Sequence, residues 1–525
     1  MKKISILLLT ALLCVEAYSQ QLAKGCVFDD ANRNGKKERR ERGIAGVPVS
    51  NGLDVVVTDN NGFYSLPVDN DNTLFVIKPS GYKLNVNEDF IPQFYYHYKP
   101  NGAPDNFQYS GVAPTGKLPK SIDFALYKYE EPADYTALIF GDPQPYTLQD
   151  MDYFTEKIVK DVQKTANTLF GISLGDIAGD NLDLHPVYKE RMRALQLPWY
   201  NVMGNHDMNY DAPSDKLSDE SFEKNFGSAN YAFNYGNAHF IILDNILYPD
   251  PRDTKGYWGG YREDQLQFLA NDLKHVPHDR LIVLSQHIPL KDASGNAYRP
   301  EDRQRIFDLL KDYEQILIMS AHTHLQDHIY YTVEDGWNGS KPLYEYNAGT
   351  TSGDWYSGKI DANGLPDASM RDGTPPGYAF LNIKGNRYDI DYKVAGKSSD
   401  YQMHVFAPKV VPYKGRTTSQ IVVNFFMGAK EDAVEYRIDE GAWQKMHYVE
   451  TVDPSYQVKL FEWDLTDTLL PGRRPSNAVN STHLWTGRLD LKLSPGEHTI
   501  EVRATDRFGK THRGQRKYEI VAEKE

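Results

Sequence analysis

At 525 residues, 25% charged and 12% aromatic, the chain has room for two to four domains and is too rich in ordering side chains to be disordered. Its 58 basic and 72 acidic residues leave a net charge of −14, which repels a phosphate backbone and excludes nucleic acid as the main partner. Two cysteines exclude a disulfide framework.

Lys2 and Lys3 precede an apolar run at 4–15, and small residues stand at Ala17 and Ser19. This pattern predicts a secretory signal over residues 1–20 and an exported protein, periplasmic or at the cell surface. The run is too short to span a bilayer, and no other stretch qualifies. Leu13 stands before Cys14 where lipidation wants a small residue. Without the leader only Cys26 remains, so the cores and not crosslinks must hold the fold.

Residues 21–128 read as a small β-sandwich module. Short apolar runs at 47–50, 55–58, 63–67 and 74–78 are separated by the turn residues Asn60-Asn61-Gly62 and Pro79-Ser80-Gly81. The stretches 43–49 and 58–64 resemble the B-type β-sandwich repeats of bacterial surface proteins. Asp30, Asn32, Asn34 and Glu41, with Gly35 for the bend, match the spacing of a calcium loop. Arg33, Lys36, Lys37, Arg39 and Arg40 interleave with them and weaken any such site. After a linker at 128–134, residues 135–396 alternate strand-like and helical stretches, the mark of a layered α/β domain. Helical periodicity runs over 150–169, 262–275 and 300–313, and Gly236-Asn237 joins two strands in a hairpin. Residues 403–522 return to β patterns at 421–426, 433–438, 489–493 and 499–505, which predicts a second β module. The 36 tyrosines suit strand faces; the β modules are candidates for glycan or protein contact.

Five polar clusters sit where strands of the central domain should end: Gly141-Asp142-Pro143-Gln144, Gly175-Asp176-Ile177-Ala178-Gly179-Asp180, Gly204-Asn205-His206-Asp207, Gln286-His287 and His322-Thr323-His324. Residues at the carboxyl ends of several strands share one crevice. Asp, Asn and His are the donors of a site for divalent ions of intermediate hardness. A metal-dependent hydrolase is the reading that follows. His185, His239, His275, His278 and His328 lie outside these clusters and read as core or loop histidines.

These clusters, in this order over about 190 residues, resemble the calcineurin-like metallophosphoesterase family, most specifically at Gly204-Asn205-His206-Asp207 and His322-Thr323-His324. The resemblance implies a four-layer αββα core and two divalent ions (Mn, Fe, Mg or Zn). Asp176 would bridge them, Asp142 and His324 would complete one, and Asn205, His287 and His322 the other. The implied reaction is in-line attack of a dimetal-bound hydroxide on a phosphomonoester or phosphodiester, with His206 protonating the leaving group and Asp180 orienting His206. Two positions depart from the family pattern. Gln144 stands where His is usual and is a weaker candidate ligand. The orienting acid is expected three residues after the bridging Asp, where this chain has Gly179, so the role falls to Asp180. A signal, β module, phosphoesterase core and second β module together are similar to the three-part secreted bacterial members.

Two aromatic, Gly-rich segments, 349–356 and 372–378, follow the last ligand cluster. Trp355 and Tyr356 are the candidate substrate-stacking residues, and Ser481-Thr482-His483-Leu484-Trp485 is a further segment that could face the cleft. Alternatives are a nucleotide or nucleotide-sugar pyrophosphatase on the same site, or a turnover-deficient metal-binding recognition protein, to which Gln144 and the shifted acid point.

Overall fold

Strand alternation over Thr168–Ser173 sends Phe170 to one face and Gly171 to the other, and the two residues define the layers of the core. In the computed structural model, which describes residues 21–162, 168–291 and 297–522, Phe170 packs on Phe233, Tyr235 and Phe240 of a second sheet at ring separations of 5.6, 4.7 and 5.3 Å. Tyr200 stacks flat on Phe233 at 3.9 Å. This aromatic slab joins the two sheets face to face. On the opposite face, a Cβ at Gly171 would come within 2.1 Å of the Trp199 ring, so only glycine lets that indole cross the strand. Trp199 Nε1 donates to Ser173 Oγ at 3.0 Å, and Phe140, Phe154 and Tyr188 carry the packing on into the first helical layer.

The first sheet has the order Trp199–Asn201, Thr168–Ser173, Asp134–Phe140, Gly377–Lys384, Arg387–Val394. Its first three strands are parallel and the last two antiparallel. The second sheet runs Tyr231–Tyr235, Ala238–Ile242, Leu281–Ser285, Gln315–Ser320, Leu343–Asn347, Asp327–Tyr331, parallel through its middle. Helix Pro300–Leu310 covers the second sheet through Phe307 on Tyr331. The result is the helix–sheet–sheet–helix core that the family resemblance implied. Among the described residues no helix is long and apolar enough to cross a membrane.

Four-stranded sheets Phe63–Val68, Gln21–Asp29, Phe124–Lys128, Tyr82–Leu84 and Val55–Val57, Pro48–Ser50, Asn72–Val76, Tyr95–Tyr98 build the N-terminal β region. It grips the core through Phe94 on Tyr231 (4.6 Å) and Phe75 on Phe268 (5.4 Å). Buried Lys78 reaches Glu131 at 2.7 Å and the Asn234 carbonyl at 2.6 Å, while burial pulls its ammonium down to about 8. Cys26 is buried and unpaired. The C-terminal region pairs a four-stranded sheet with a five-stranded one. It is fastened to the core by Lys510 on Asp389 and Asp391, by Arg507 stacked 3.3 Å over Tyr344, and by His483 on Asp372.

Two local expectations are corrected, and one element is added. The helix expected over 150–169 is α-helical only at Leu148–Phe154 and widens to a π-helical turn at Thr155–Val159. Thr155 Oγ1 donates back to the Met151 carbonyl at 2.7 Å, competing with the backbone ladder. Residues 163–167 lie outside the described part, and Thr168 and Leu169 open strand Thr168–Ser173, Thr168 pairing with Thr136 and Leu169 falling at a bulge. The strand expected over 489–493 is a bend, because Asp490 accepts from the Lys492 amide; the strand is Asn480–Arg488. Helix Pro454–Asp464 was not foreseen, although Asp453 caps it and Pro454 opens it.

Phe233→Ala removes the ring shared by Tyr200, Phe170 and Phe240 and is expected to cost about 3–5 kcal/mol. A fall in the urea midpoint of the core transition, followed by near-ultraviolet circular dichroism, measures it.

Candidate functional site

Three of the five strand ends of the site run into a turn that the backbone would not choose unaided. Asp142, Gln144, Asp176, Asp180, His322 and His324 all hold positive φ, from 25° at Asp142 to 68° at His322. Non-glycine residues pay about 1–3 kcal/mol for such conformations, so the surrounding hydrogen bonds must overdetermine them. The Gln144 amide donates to the Asp176 carbonyl at 2.8 Å, tying the first two turns together. Gly141 bridges Thr350 across the two sheets, and the Thr351 amide donates to the Gly141 carbonyl at 2.7 Å. Glycine is compulsory at 175 and 204. A Cβ at Gly175 would meet His287 Nδ1 at 2.4 Å, and one at Gly204 would meet Asp176 Oδ1 at 2.2 Å.

These turns bring the sequence-predicted donors into one buried network. His324 Nε2 lies 3.4 Å from Asp142 Oδ2. His287 stands 3.7 Å from Asp142 and 3.3 Å from Asp176, and its Nε2 is 3.1 Å from Asn205 Oδ1 and 3.2 Å from His322 Nδ1. The ligand atoms of Asp176, His287 and His322 fall within 4.8 Å of one another. The Leu174 and Gly353 carbonyls take Nδ1 of His287 and of His324, at 2.7 and 2.8 Å. These contacts leave Nε2 of each ring facing the network.

The electrostatics describe a pocket short of positive charge. Burial raises the Asp142 carboxyl to about 7, with His287 opposing and Asp176 adding to the rise. Burial also acts upward on Asp176, but His287 and His206 outweigh it and hold that carboxyl well below its ordinary value. Burial lowers His287, yet Asp176 and Asp142 on either side bring it up to about 9. Burial takes His322 down to about 3 and His324 to about 4, so both stay neutral with lone pairs available.

His206 sits apart from the donors. Its side chain is 25% exposed, its amide donates to Asp176 Oδ1 at 2.9 Å, and its Nδ1 meets Asp180 Oδ1 at 2.6 Å. Burial pushes its imidazole down, but Asp176 and Asp180 raise it to about 9. The shifted acid has a steric cause. A Cβ at Gly179 would lie 2.7 Å from the Tyr146 ring, so the orienting carboxylate comes from the next residue, turned inward at φ 63°.

Gln144 is buried; its Nε2 points to the Tyr146 hydroxyl at 3.4 Å and its Oε1 has no donor. Tyr356 does not face a substrate: it is buried, with its hydroxyl on the Pro143 carbonyl. Trp355 stacks on His324 at 4.2 Å and remains at the cavity edge. His483 is buried in the join between the core and the C-terminal region, and Trp485 is buried within that region against Phe425 and Tyr448. In the N-terminal loop the Asp30 carboxylate accepts from the Asn34 and Gly35 amides and from Asn85 Nδ2, Asn34 Oδ1 accepts from the Lys36 amide, and Glu41 Oε2 from the Glu38 amide. Asn32 Oδ1 likewise accepts from the Asn34 amide. Local amides thus reach the side-chain oxygens of Asp30, Asn32 and Asn34 and one oxygen of Glu41, whose Oε1 is buried without a donor.

Sequence reasoning missed a positioning pair. Buried Asp207 accepts from the amides of Ile177, Ala178 and Gly204 and meets His185 Nε2 at 2.9 Å. It staples the Asp176 turn to the Asn205 turn. The signal was a buried-looking Asp directly after His206, with His185 read only as core.

A four-layer core whose strand ends gather Asp, Asn and His donors is the architecture of a metallophosphoesterase. Three family models match in chain order: the N-terminal region of calcineurin-like phosphoesterase at 31–112, calcineurin-like phosphoesterase at 135–326, and its C-terminal region at 345–512. The chain belongs to the calcineurin-like phosphoesterase family. A probable glycerophosphodiester phosphodiesterase GpdQ of Arcobacter nitrofigilis is 25% identical over 161 residues, 29% of this chain. The chain spans about half (55%) of that relative's length. Among solved structures, the purple acid phosphatase PPD1 of yellow lupin (Lupinus luteus) aligns at 13% identity over 67% of this chain and 69% of its own, with a TM-score of 0.37. A metallophosphoesterase of Sphaerobacter thermophilus aligns at 14% identity over 50% and 89%, with a TM-score of 0.24.

Asp207→Ala strands three buried amides and the His185 ring. The expected loss is about 3–5 kcal/mol, read as a lowered urea midpoint together with new protease sensitivity near residues 176–180.

Proposed function

We propose that this protein is a metal-dependent phosphoesterase that hydrolyses a phosphomonoester or phosphodiester at the cleft around Asp176 and His287. One observation carries the reading: the donors of five distant strand ends share a single buried network, with the His206–Asp180 pair at its edge. The residues fit a pair of divalent ions. Asp142 Oδ2 and Gln144 Oε1 are buried oxygens without a donor, and His322 and His324 are neutral imidazoles. Asp142, Asp176, Asn205, His287, His322 and His324 would hold the ions, Mn, Fe, Mg or Zn, with Gln144 as an added oxygen. Such ions, when bound, supply Lewis-acid activation of water and charge stabilisation on a phosphoryl group.

The chain itself supplies proton transfer and placement. Asp180 fixes Nδ1 of His206, so Nε2 is the atom left to carry a proton toward the departing oxygen. The Asp176 carboxylate receives the His206 amide, which locks the distance between the acid and the donor network. The partial likeness to a probable glycerophosphodiester phosphodiesterase supports counting diesters among the substrates. The charged and apolar pattern of residues 2–19 supports export of the mature chain.

Purified protein supplied with Mn2+ is expected to release 4-nitrophenol from 4-nitrophenyl phosphate or from the bis ester. EDTA should abolish turnover and Mn2+ restore it. His206→Ala should lower kcat by about 10²–10⁴, while calorimetric Mn2+ binding persists. Asp176→Ala should lose both activity and metal. No hydrolysis of either ester with Mn2+, Fe2+, Mg2+ or Zn2+ overturns the reading.

A further inference from the structure

The C-terminal region reaches the rim of this cleft. Gly358–Lys359 of the core pairs antiparallel with Gly472–Arg473. Arg473 Nη2 donates to the Trp355 carbonyl, which holds the guanidinium in place, and among the described residues its other N–H donors have no protein acceptor. Among the described residues no carboxylate pairs with Arg473. Its neighbour Arg474 is instead held on both oxygens of Asp464, at 2.6 and 2.8 Å.

Arg473 lines an open cavity of about 430 Å³ together with Tyr146, Trp355, Arg474 and Asp354. Asp354 is buried; its Oδ2 accepts from Ser357 Oγ at 2.6 Å and from the Ser476 amide at 2.7 Å, while its Oδ1 has no donor among the described residues. The two aromatic walls lead to the site. Tyr146 meets His206 edge-on at 6.0 Å, and Trp355 stacks on His324. The cavity therefore adjoins the side on which His206 would meet a leaving group. A guanidinium with free donors at the edge of such a site is a recognition element for an anion.

We propose that this cavity is an anion subsite for the alcohol half of the substrate, with Arg473 binding a carboxylate or second phosphate on that half. The preferred substrates are then phosphoesters whose leaving alcohol is itself anionic. This rests on the phosphoesterase reading above.

A matched pair of chromogenic esters tests it: 4-nitrophenyl phosphate and 3-carboxy-4-nitrophenyl phosphate, which differ by one carboxylate on the leaving group. With Mn2+-loaded full-length protein, kcat/KM is expected to favour the carboxylated ester by about tenfold, the worth of one charge-assisted hydrogen bond. Arg473→Ala should bring the ratio of the two kcat/KM values close to one, and Arg473→Lys should keep part of it. The ratio is internal to each variant, so a change in active fraction does not alter it. A wild-type ratio near one, or an unchanged ratio in Arg473→Ala, overturns the subsite while the phosphoesterase reading stands on the hydrolysis seen. Failure to cleave either monoester while bis(4-nitrophenyl) phosphate is hydrolysed overturns the subsite alone, and failure on all three esters overturns both.

Discussion

Asp142 and Asp176 lie in one pocket sealed from water, and two carboxylates cannot both stay charged there without a cation among them. The rest of the core serves that constraint. His287 stands between the two acids and takes the positive charge in their joint field, while His322 and His324 remain neutral at its flanks. A protein selected for stability alone would have replaced such a cluster with apolar side chains. Its persistence at the ends of five strands identifies the region where the fold spends its stability.

That expenditure is visible in the backbone. Six site residues sit at positive φ, and two glycines allow the turns to close on His287 and Asp176. The strain is held by a few well-placed anchors: Asp207 across two turns, the Gly141–Thr350 bridge across two sheets, and the aromatic slab below. Rigid sheets fix where each turn begins, so small polar groups suffice to fix where it points.

The layered core and the donor set were legible because they depend on local order: an apolar run followed by Gly, Asp, Asn or His marks a strand end wherever it occurs. Less legible was anything decided by packing between distant segments. Tyr356 looked like a stacking surface, but its hydroxyl finds the Pro143 carbonyl and the ring turns inward. At Asp30 the spacing gives a candidate cation ligand, and only the fold shows that amides of its own loop also reach its carboxylate. The displaced acid at Asp180 became intelligible only with the Tyr146 ring in view. Asp207 was passed over because nothing in the order of residues tells a ligand from a staple one position away.

The five-stranded sheet carries a practical corollary for anyone trimming the gene. Strand Gly377–Lys384 sits against Asp134–Phe140, the strand that delivers Asp142, although the two lie some 240 positions apart in the polypeptide. A fragment stopped where the central family match ends, at 326, would expose the flank of Asp134–Phe140 as a bare, largely apolar border. Unprotected borders of that kind recruit other chains. Soluble expression of the catalytic portion by itself therefore demands boundaries that extend past Val394.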